Sequence, residues 1–435
     1  MSNLRKESSL MFVYVLDNDG QPLMPTSRFG KVRRLLKSKQ AKVVKRCPFT
    51  IQLLYKTTDF TQEATLGVDT GSKHAGFAVY SKDKILYQSQ IELRDDIKSK
   101  MENRRKARRF RRNRKTRYRK PRFQNRRNSI KLDRLPPSIK SKVNSHIKEI
   151  EYIKSILPIT NLVLEVAQFD THLLKNPMLA SEEVKHWGYQ KGSNYGFANT
   201  KAYVLSRDNY TCQYCKTKKG TLHVHHIIYR SNNGSDEESN LITLCENCHI
   251  KLHRGELNNF ESKLVGKKKT NLRYASQMSV MRSQLLKYYL NVIETYGYMT
   301  KENRQNLGLS KDHYIDACVI ASQGLSFQEN NLIYYKKCVS KGDYQLSKGV
   351  RGQQVIPTDK ICGFRKFDKV KYFSEEYFIK GRMSTGFAIL MDIFGNKVDF
   401  SSQPKSYKTP KLSNCKRINA RSGLCISQKI IPSMA

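Results

Sequence analysis

Two cysteine pairs constrain this chain most. Cys212 and Cys215 form one C-x2-C, Cys245 and Cys248 a second, with 29 residues between the pairs. Two such knuckles bring four thiolates into the closed tetrahedral set of a structural Zn²⁺ site, and the metal substitutes for the core that so short a module lacks. The other six cysteines (Cys47, Cys318, Cys338, Cys362, Cys415, Cys425) are scattered without a disulfide-like framework, which places the chain in a reducing compartment. The opening "MSNLRKESSLMFVYVLDNDG" has only a short apolar run ended by acids, neither signal peptide nor anchor, and no other stretch is long enough to span a bilayer. The expected location is the cytoplasm of a bacterial cell, with work at the nucleoid and no membrane partner.

Between the knuckles, "LHVHHII" alternates as a strand. His223 and His225 therefore point to one side and His226 to the other. Hydrolysis of a phosphodiester needs a metal ligand and a base that point differently, so adjacent histidines suit it. His226 is the expected general base on water, because an ordinary imidazole is poised near neutral pH. His225 and His249 are the expected ligands of a divalent ion that stabilises the leaving oxygen. Asn240 ties the connecting loop and helps to orient the base. His253 lies one turn beyond His249, and a ligand role and a surface role both stay open. A zinc ribbon that only binds DNA accounts for the cysteines but leaves the histidine pair, Asn240 and His249 without a reason. These marks together resemble the HNH endonuclease family. Most of that family has Asp at the position of His225; a His there still serves as ligand but leaves Mg²⁺ or Mn²⁺ open.

The whole chain is very basic: 80 Lys and Arg against 37 acids among 435 residues, a formal charge of +43. Such self-repulsion argues for extensive phosphate contact with a nucleic acid. The charge peaks in "RRKARRFRRNRKTRYRKPRFQNRR", where 15 of 24 residues are Arg or Lys and none is acidic. Asp95, Asp96 and Glu102 favour a helix start just before it and Pro121 a stop, giving a helix from Asp95 to Lys120 of roughly 40 Å. Basic side chains on every face leave no stripe for an apolar core. The expectation is a helix ordered against RNA or DNA backbone, with Arg supplying bidentate phosphate contacts.

Elsewhere the motifs are individually weak. Residues 11–54 read strand, turn, helix, strand, a small ββ/α unit with "PLMP" in its loop. "TLGVDTGSKHAGFAVYSKDKILYQSQIEL" reads as three antiparallel strands, with Asp69 ending the first and a Gly-rich turn at Gly71 and Gly76. "ITNLVLEVAQFD" is a buried-type strand carrying Glu165, costly there unless paired or coordinated. In "LSKDHYIDACVIASQGL" a helix puts His313 and Asp316 on one face. The tail from about Lys336 reads as short strands in a small twisted sheet or barrel.

The order of these pieces resembles the IscB family, transposon-associated RNA-guided nucleases related to the CRISPR type II effectors. "GVDTGSKHAG", an Arg-rich helix, "LVLEVAQFD", an HNH module and "KDHYIDA" look like a RuvC nuclease split in three with HNH inserted, and "PLMP" near the N-terminus is specific to the family. The implied fold is α/β multidomain: a ribonuclease H-like RuvC domain split in three, a ββα-metal HNH module, a bridge helix and a β-rich C-terminal domain. The implied divisions are 1–58 (PLMP), 59–93 (RuvC I), 94–128 (bridge helix), 129–199 (RuvC II and connectors), 200–256 (HNH with knuckles), 257–335 (RuvC III) and 336–435 (contacts to RNA and target-adjacent motif). Asp69, Glu165, His313 and Asp316 match the RuvC set that binds Mg²⁺. Arg104, Arg105, Arg108, Arg109, Arg111, Arg112, Arg114, Arg117 and Arg119 match the bridge helix that grips RNA. The implied partners are a structured guide, ωRNA, and double-stranded target DNA, with one protein copy per ribonucleoprotein. The competing readings are a protein-only HNH endonuclease of homing or restriction type and a non-enzymatic zinc-dependent DNA-binding accessory protein.

Overall fold

The structure is a computed structural model that describes residues 11–58, 60–113, 135–167, 169, 173, 195–230, 234–257, 260, 264, 273–341, 360–404 and 407–430. The chain forms two compact units, one of residues 1–167 with 277–435 and one of residues 168–276.

The first unit opens with β1 (Val13–Leu16), β2 (Pro22–Thr26), α1 (Phe29–Lys37), β3 (Ala41–Arg46) and β4 (Phe49–Leu53). Their sheet has the order β2-β1-β4-β3, with β1 and β4 parallel. Val13, Val15, Val32, Ile51 and Leu53 close its core. "PLMP" is therefore not a loop but the edge strand β2. Proline lacks the N–H that an interior strand must donate, and an edge tolerates that loss.

Next come β5 (Thr65–Asp69), β6 (His74–Ser81) and β7 (Lys84–Glu92), an antiparallel meander as the alternation requires. α2 (Ile97–Asn113) follows, then α3 (Pro137–Lys154) and β8 (Asn161–Glu165), which pairs parallel with β5. Asp96 at the start of α2 pairs with Arg94 and Lys100. Arg104, Arg105, Arg108 and Arg109 on α2 are exposed. Arg111 and Arg112 lie on the same helix, whereas Arg114, Arg117 and Arg119 lie outside the described residues, as does the expected stop at Pro121.

The second unit contains α4 (Thr200–Arg207), β9 (Leu222–His226), β10 (Leu241–Cys245) and α5 (Glu246–His253). Asn199 caps α4 by accepting from the Ala202 N–H at 2.9 Å. β9 and β10 are antiparallel, and α5 packs on both, the ββα order expected for the module. Its small core gathers Cys212, Ile242, Leu244, Cys245, Cys248 and Leu252.

The chain returns to the first unit with α6 (Arg273–Tyr288), β11 (Ile293–Thr295), α7 (Gly297–Asn306), α8 (His313–Ser322) and β12 (Leu332–Cys338). It then builds β13 (Lys369–Tyr372), β14 (Glu375–Arg382), β15 (Ala388–Met391), β16 (Lys416–Asn419) and β17 (Leu424–Ile430). The small sheet runs β15-β14-β13-β16. The large sheet has seven strands in the order β11-β8-β5-β6-β7-β12-β17, the ribonuclease H-like layout. β12 crosses the 335/336 division, and β17 leaves the tail to pair with it.

Alternation decides the faces of β5. Leu66 and Val68 join Val143, Ile150, Ile153, Met281 and Leu285 in the main core. Gly67 and Asp69 face the other way, where α8 lies. Behind the sheet, the buried Lys336 ammonium meets Glu149 at 2.5 Å and donates to the Tyr87 hydroxyl at 2.8 Å, an ion pair tying β12 to α3. No helix among the described residues is long and apolar enough to cross a membrane.

Candidate active sites

Parallel pairing of β5 with β8 sets Asp69 opposite Glu165 at the ends of their strands. Above them α8 lies against the sheet so closely that only glycine fits. A Cβ at Gly67 would meet the backbone of Ala317 and Ala321, and one at Gly76 would meet the His313 carbonyl. Gly76 thus serves close approach from within β6 rather than a turn. This contact starts α8 over Asp69, and His313 Nδ1 reaches Asp69 Oδ2 at 2.5 Å. Asp316 follows one turn later. The structure therefore gathers all four expected residues.

Two further side chains enter from α7. Thr300 lies beside the Glu165 carboxyl and pulls its pKa down, while its own hydroxyl donates to the Tyr296 carbonyl at 3.5 Å. Arg304 Nε lies 2.8 Å from Asp316 Oδ1, at ion-pair distance but off hydrogen-bond alignment, so neither atom is saturated. Burial, and then the neighbouring Asp69 carboxylate, push Glu165 up to about 7 against the pull of Thr300. The same two causes raise Asp316, with Arg304 opposing. The hydrogen bond to Asp69 raises His313 in spite of its burial. Half-buried carboxylates that suppress one another's ionisation fit a divalent cation, which would remove that repulsion.

In the second unit, His225 on β9 and His249 and His253 on α5 place one nitrogen each within 4.8 Å of the others. His249 and His253 are four apart on one helix face, and their Nε2 atoms are 3.3 Å apart. Burial, with His249 and His253 nearby, pushes His225 down to about 4, and burial also lowers His249. Imidazoles converging in this way could hold a metal ion. His253 thus takes a place in the cluster, with Tyr229 stacked on its ring. His223 stacks on His249 from the same side of β9 as His225, the side expected from alternation.

His226 stands apart from this cluster. Its Nε2 donates to Asp236 Oδ1 at 2.7 Å, and Arg230 Nη2 donates to the same oxygen at 2.7 Å. A neutral imidazole with Nε2–H committed to a carboxylate keeps its lone pair on Nδ1. The loop that carries Asp236 is held by Asn240. Its Oδ1 accepts from the Ile228 N–H at 2.9 Å, and its Nδ2 donates to the carbonyls of Ile228 and Ser235 at 3.1 and 2.8 Å. Gly234 closes the loop, since a Cβ there would strike the Ile228 carbonyl.

The sulfurs of Cys212, Cys215, Cys245 and Cys248 also lie within 4.8 Å of one another. Cys215 Sγ and Cys245 Sγ are 3.7 Å apart. A tetrahedron with Zn–S of about 2.3 Å has edges of about 3.8 Å, so the four thiols fit zinc. Burial pushes the Cys212 thiol up, but backbone hydrogen bonds at Cys245, Cys215 and Tyr214 outweigh it and bring it to about 7.

The chain is similar to the RRXRR protein family over residues 13–192 and to the HNH endonuclease family over residues 212–255. Anaredoxin of Nostoc sp. (strain PCC 7120 / SAG 25.82 / UTEX 2576) is 35% identical over 63 residues, 14% of this chain and 83% of that protein. Among solved structures, Streptococcus thermophilus Cas9 in complex with the AGAA PAM aligns with 56% of this chain and 32% of its own, at 12% identity and TM-score 0.34. The complex with AGGA PAM covers the same shares at 14% identity and TM-score 0.36. This chain spans about a third of those Cas9 chains. Asp69, Glu165 and α2 lie inside the RRXRR match and the cysteine and histidine clusters inside the HNH match, and together the two matches support an IscB-like RuvC/HNH nuclease.

Proposed function

We propose that the protein is an RNA-guided DNA endonuclease. A bound ωRNA pairs with target DNA beside a short adjacent motif, the HNH module cuts the guide-paired strand, and the RuvC centre cuts the displaced strand. The observation that carries this reading is two metal-type sites in separate compact units with no residue in common. The exposed arginines of α2 support it, because base pairing then reads sequence while the protein holds backbone. The sheet β13–β16 and its neighbours would meet the adjacent motif and the RNA scaffold. The complex would hold one protein copy and act on nucleoid DNA in the cytoplasm.

Asp69, Glu165 and Asp316, with His313, would hold Mg²⁺ in the RuvC centre, and His225, His249 and His253 a divalent ion, Mg²⁺ or Mn²⁺, in HNH. Such ions supply Lewis-acid stabilisation of phosphate charge and of the departing oxygen. In HNH the chain's own contribution is His226: Nδ1 takes the proton of the attacking water while Asp236 accepts from Nε2–H and stabilises the imidazolium. Asn240 keeps Asp236 in place by fixing Ser235 beside it. Cys212, Cys215, Cys245 and Cys248 would hold structural Zn²⁺. In the RuvC centre, Arg304 holds Asp316 at ion-pair distance and Thr300 lines the Glu165 carboxyl.

The test is to purify the full chain from its host, sequence the RNA bound to it and challenge DNA matching that RNA. Asp69→Ala should leave a nickase for the guide-paired strand and His226→Ala one for the displaced strand. Absence of specific RNA, or loss of both cuts in either variant with DNA binding intact, would overturn the reading.

A further inference from the structure

Beside the RuvC carboxylates the chain exposes an aromatic pair that no role above uses. Tyr296 caps α7, and Tyr298 lies in its first turn. Their rings are nearly parallel, 9° apart in plane, with centroids separated by 6.1 Å. Tyr298 is 69% exposed and Tyr296 39%. Hydrophobic burial would hide such rings, and a structural tyrosine would engage its hydroxyl. Among the described residues, neither tyrosine hydroxyl has a hydrogen-bond partner, and neither ring is buried.

Their position gives the pair a purpose. Gly297, between them, leans on the Glu165 carboxylate: a Cβ there would lie 3.1 Å from Oε1. Thr300, one turn on, lies beside the Glu165 carboxyl. Tyr298 is thus one residue from a backbone that touches a proposed metal ligand. The exposed Lys301 lies three residues after Tyr298 on the same helix, within reach of a backbone phosphate. Flat rings next to a cation and a cutting site are how proteins hold single-stranded nucleic acid without reading its sequence.

We infer that Tyr296 and Tyr298 form a stacking platform for nucleobases of the single DNA strand entering the RuvC centre. This rests on the reading of that centre given above. A strand leaving its duplex loses base stacking, and the outer face of Tyr298 replaces it next to the scissile phosphate. The platform serves any sequence, because every base has a π-face.

The experiment compares full-chain complexes with their co-purified RNA: wild type, a Tyr296→Ala/Tyr298→Ala variant and a Tyr296→Phe/Tyr298→Phe variant. Substrates carry either normal nucleotides or abasic nucleotides beside the displaced-strand cut. The Ala variant should slow the Asp69-dependent cut by roughly five- to a hundredfold at subsaturating DNA, the range that loss of one stacked base implies. The Phe variant should cut near the wild-type rate, and the guide-paired strand should be cut normally in all three. Abasic substrate should slow wild type to the level of the Ala variant, which should not respond to it. A 5-iododeoxyuridine beside the cut should photocrosslink to the Tyr296–Tyr298 segment. Wild-type rates in the Ala variant, or equal slowing on normal and abasic DNA, would overturn the platform alone. If no cut depends on Asp69, the reading of the centre falls and the platform with it.

Discussion

The carbonyl of His313 occupies the place where a side chain at Gly76 would begin. The opposition is between backbone and backbone, so no rotamer change relieves it. Gly76→Ala should force α8 off the sheet and carry His313 away from Asp69. Overpacking of this kind costs about 1–3 kcal/mol or more. The expected outcome is a lower melting temperature for the first unit and a displaced-strand cut reduced far more than the HNH cut. A variant that melts and cuts like wild type would show that α8 is not seated by this contact.

The Glu165 carboxyl is held up to about 7 by burial and by Asp69. A group raised in the folded state contributes stability that is full below its unfolded value and is lost as pH rises through the folded one. The metal-free protein should therefore lose stability between about pH 4.5 and 7, and Asp316, also raised, adds in the same sense. A divalent ion binds the ionised form and reverses the loss. Calorimetry in EDTA and in Mg²⁺ should show a Mg²⁺-dependent rise in melting temperature that grows from about pH 5.5 to about pH 8, and that shrinks in Glu165→Gln. A rise of equal size at both pH values would count against Glu165 as the group that responds.

The site residues were legible where a local period specifies direction. Strand alternation separates His226 from His225, and helical spacing joins His313 to Asp316 and His249 to His253. What stayed hidden depends on contacts far apart in sequence. Thr300 and Arg304 read as ordinary helix surface until β11 and α7 bring them beside β8 and α8. Asp236 reads as one acid in an acidic loop, because Asn240 and Gly234 fold that loop back only in three dimensions. Glycines suggest turns by composition, yet Gly67 and Gly76 sit inside strands. Prolines suggest a loop, yet "PLMP" is an edge strand. β17 has no local mark of its destination, since any alternating strand could pair with β12.

His253 stands with His225 and His249 at metal-ligand spacing. His253→Ala should weaken the divalent ion in HNH by a large factor and slow the guide-paired cut, while excess metal restores part of it. The displaced-strand cut should persist. Titration of cutting against Mg²⁺ and Mn²⁺ measures the shift. An unchanged metal midpoint would return His253 to a surface role.

Cys245 closes the knuckle cluster from the end of β10. Cys245→Ser should release the zinc, expose Ile242 and Leu244 of the small core and abolish the HNH cut, with the displaced-strand nick retained. Metal analysis and limited proteolysis follow both effects. Zinc-free wild type that still cuts with HNH would remove the basis for a structural metal.

Arg104, Arg105, Arg108 and Arg109 project from α2 into solvent. Helical spacing stacks Arg104 with Arg108 and Arg105 with Arg109 on one side of the helix, so the four can meet one stretch of backbone together. Each phosphate neutralised contributes about −0.9 to the slope of log affinity against log salt for a duplex and about −0.7 for a single strand. Replacing all four by Ala should therefore flatten the salt dependence of RNA binding by about two to four units and lower the yield of assembled complex. Neither metal site should change, because no ligand proposed for either lies on α2. Replacement by Lys should rescue only part of the loss, since an ammonium keeps the charge but lacks the planar fork that pairs with two phosphate oxygens. Filter binding across a salt series measures the slope. An Ala variant with wild-type slope and affinity would mean that the helix is a solvated connector, and the guide would then have to run elsewhere on the protein.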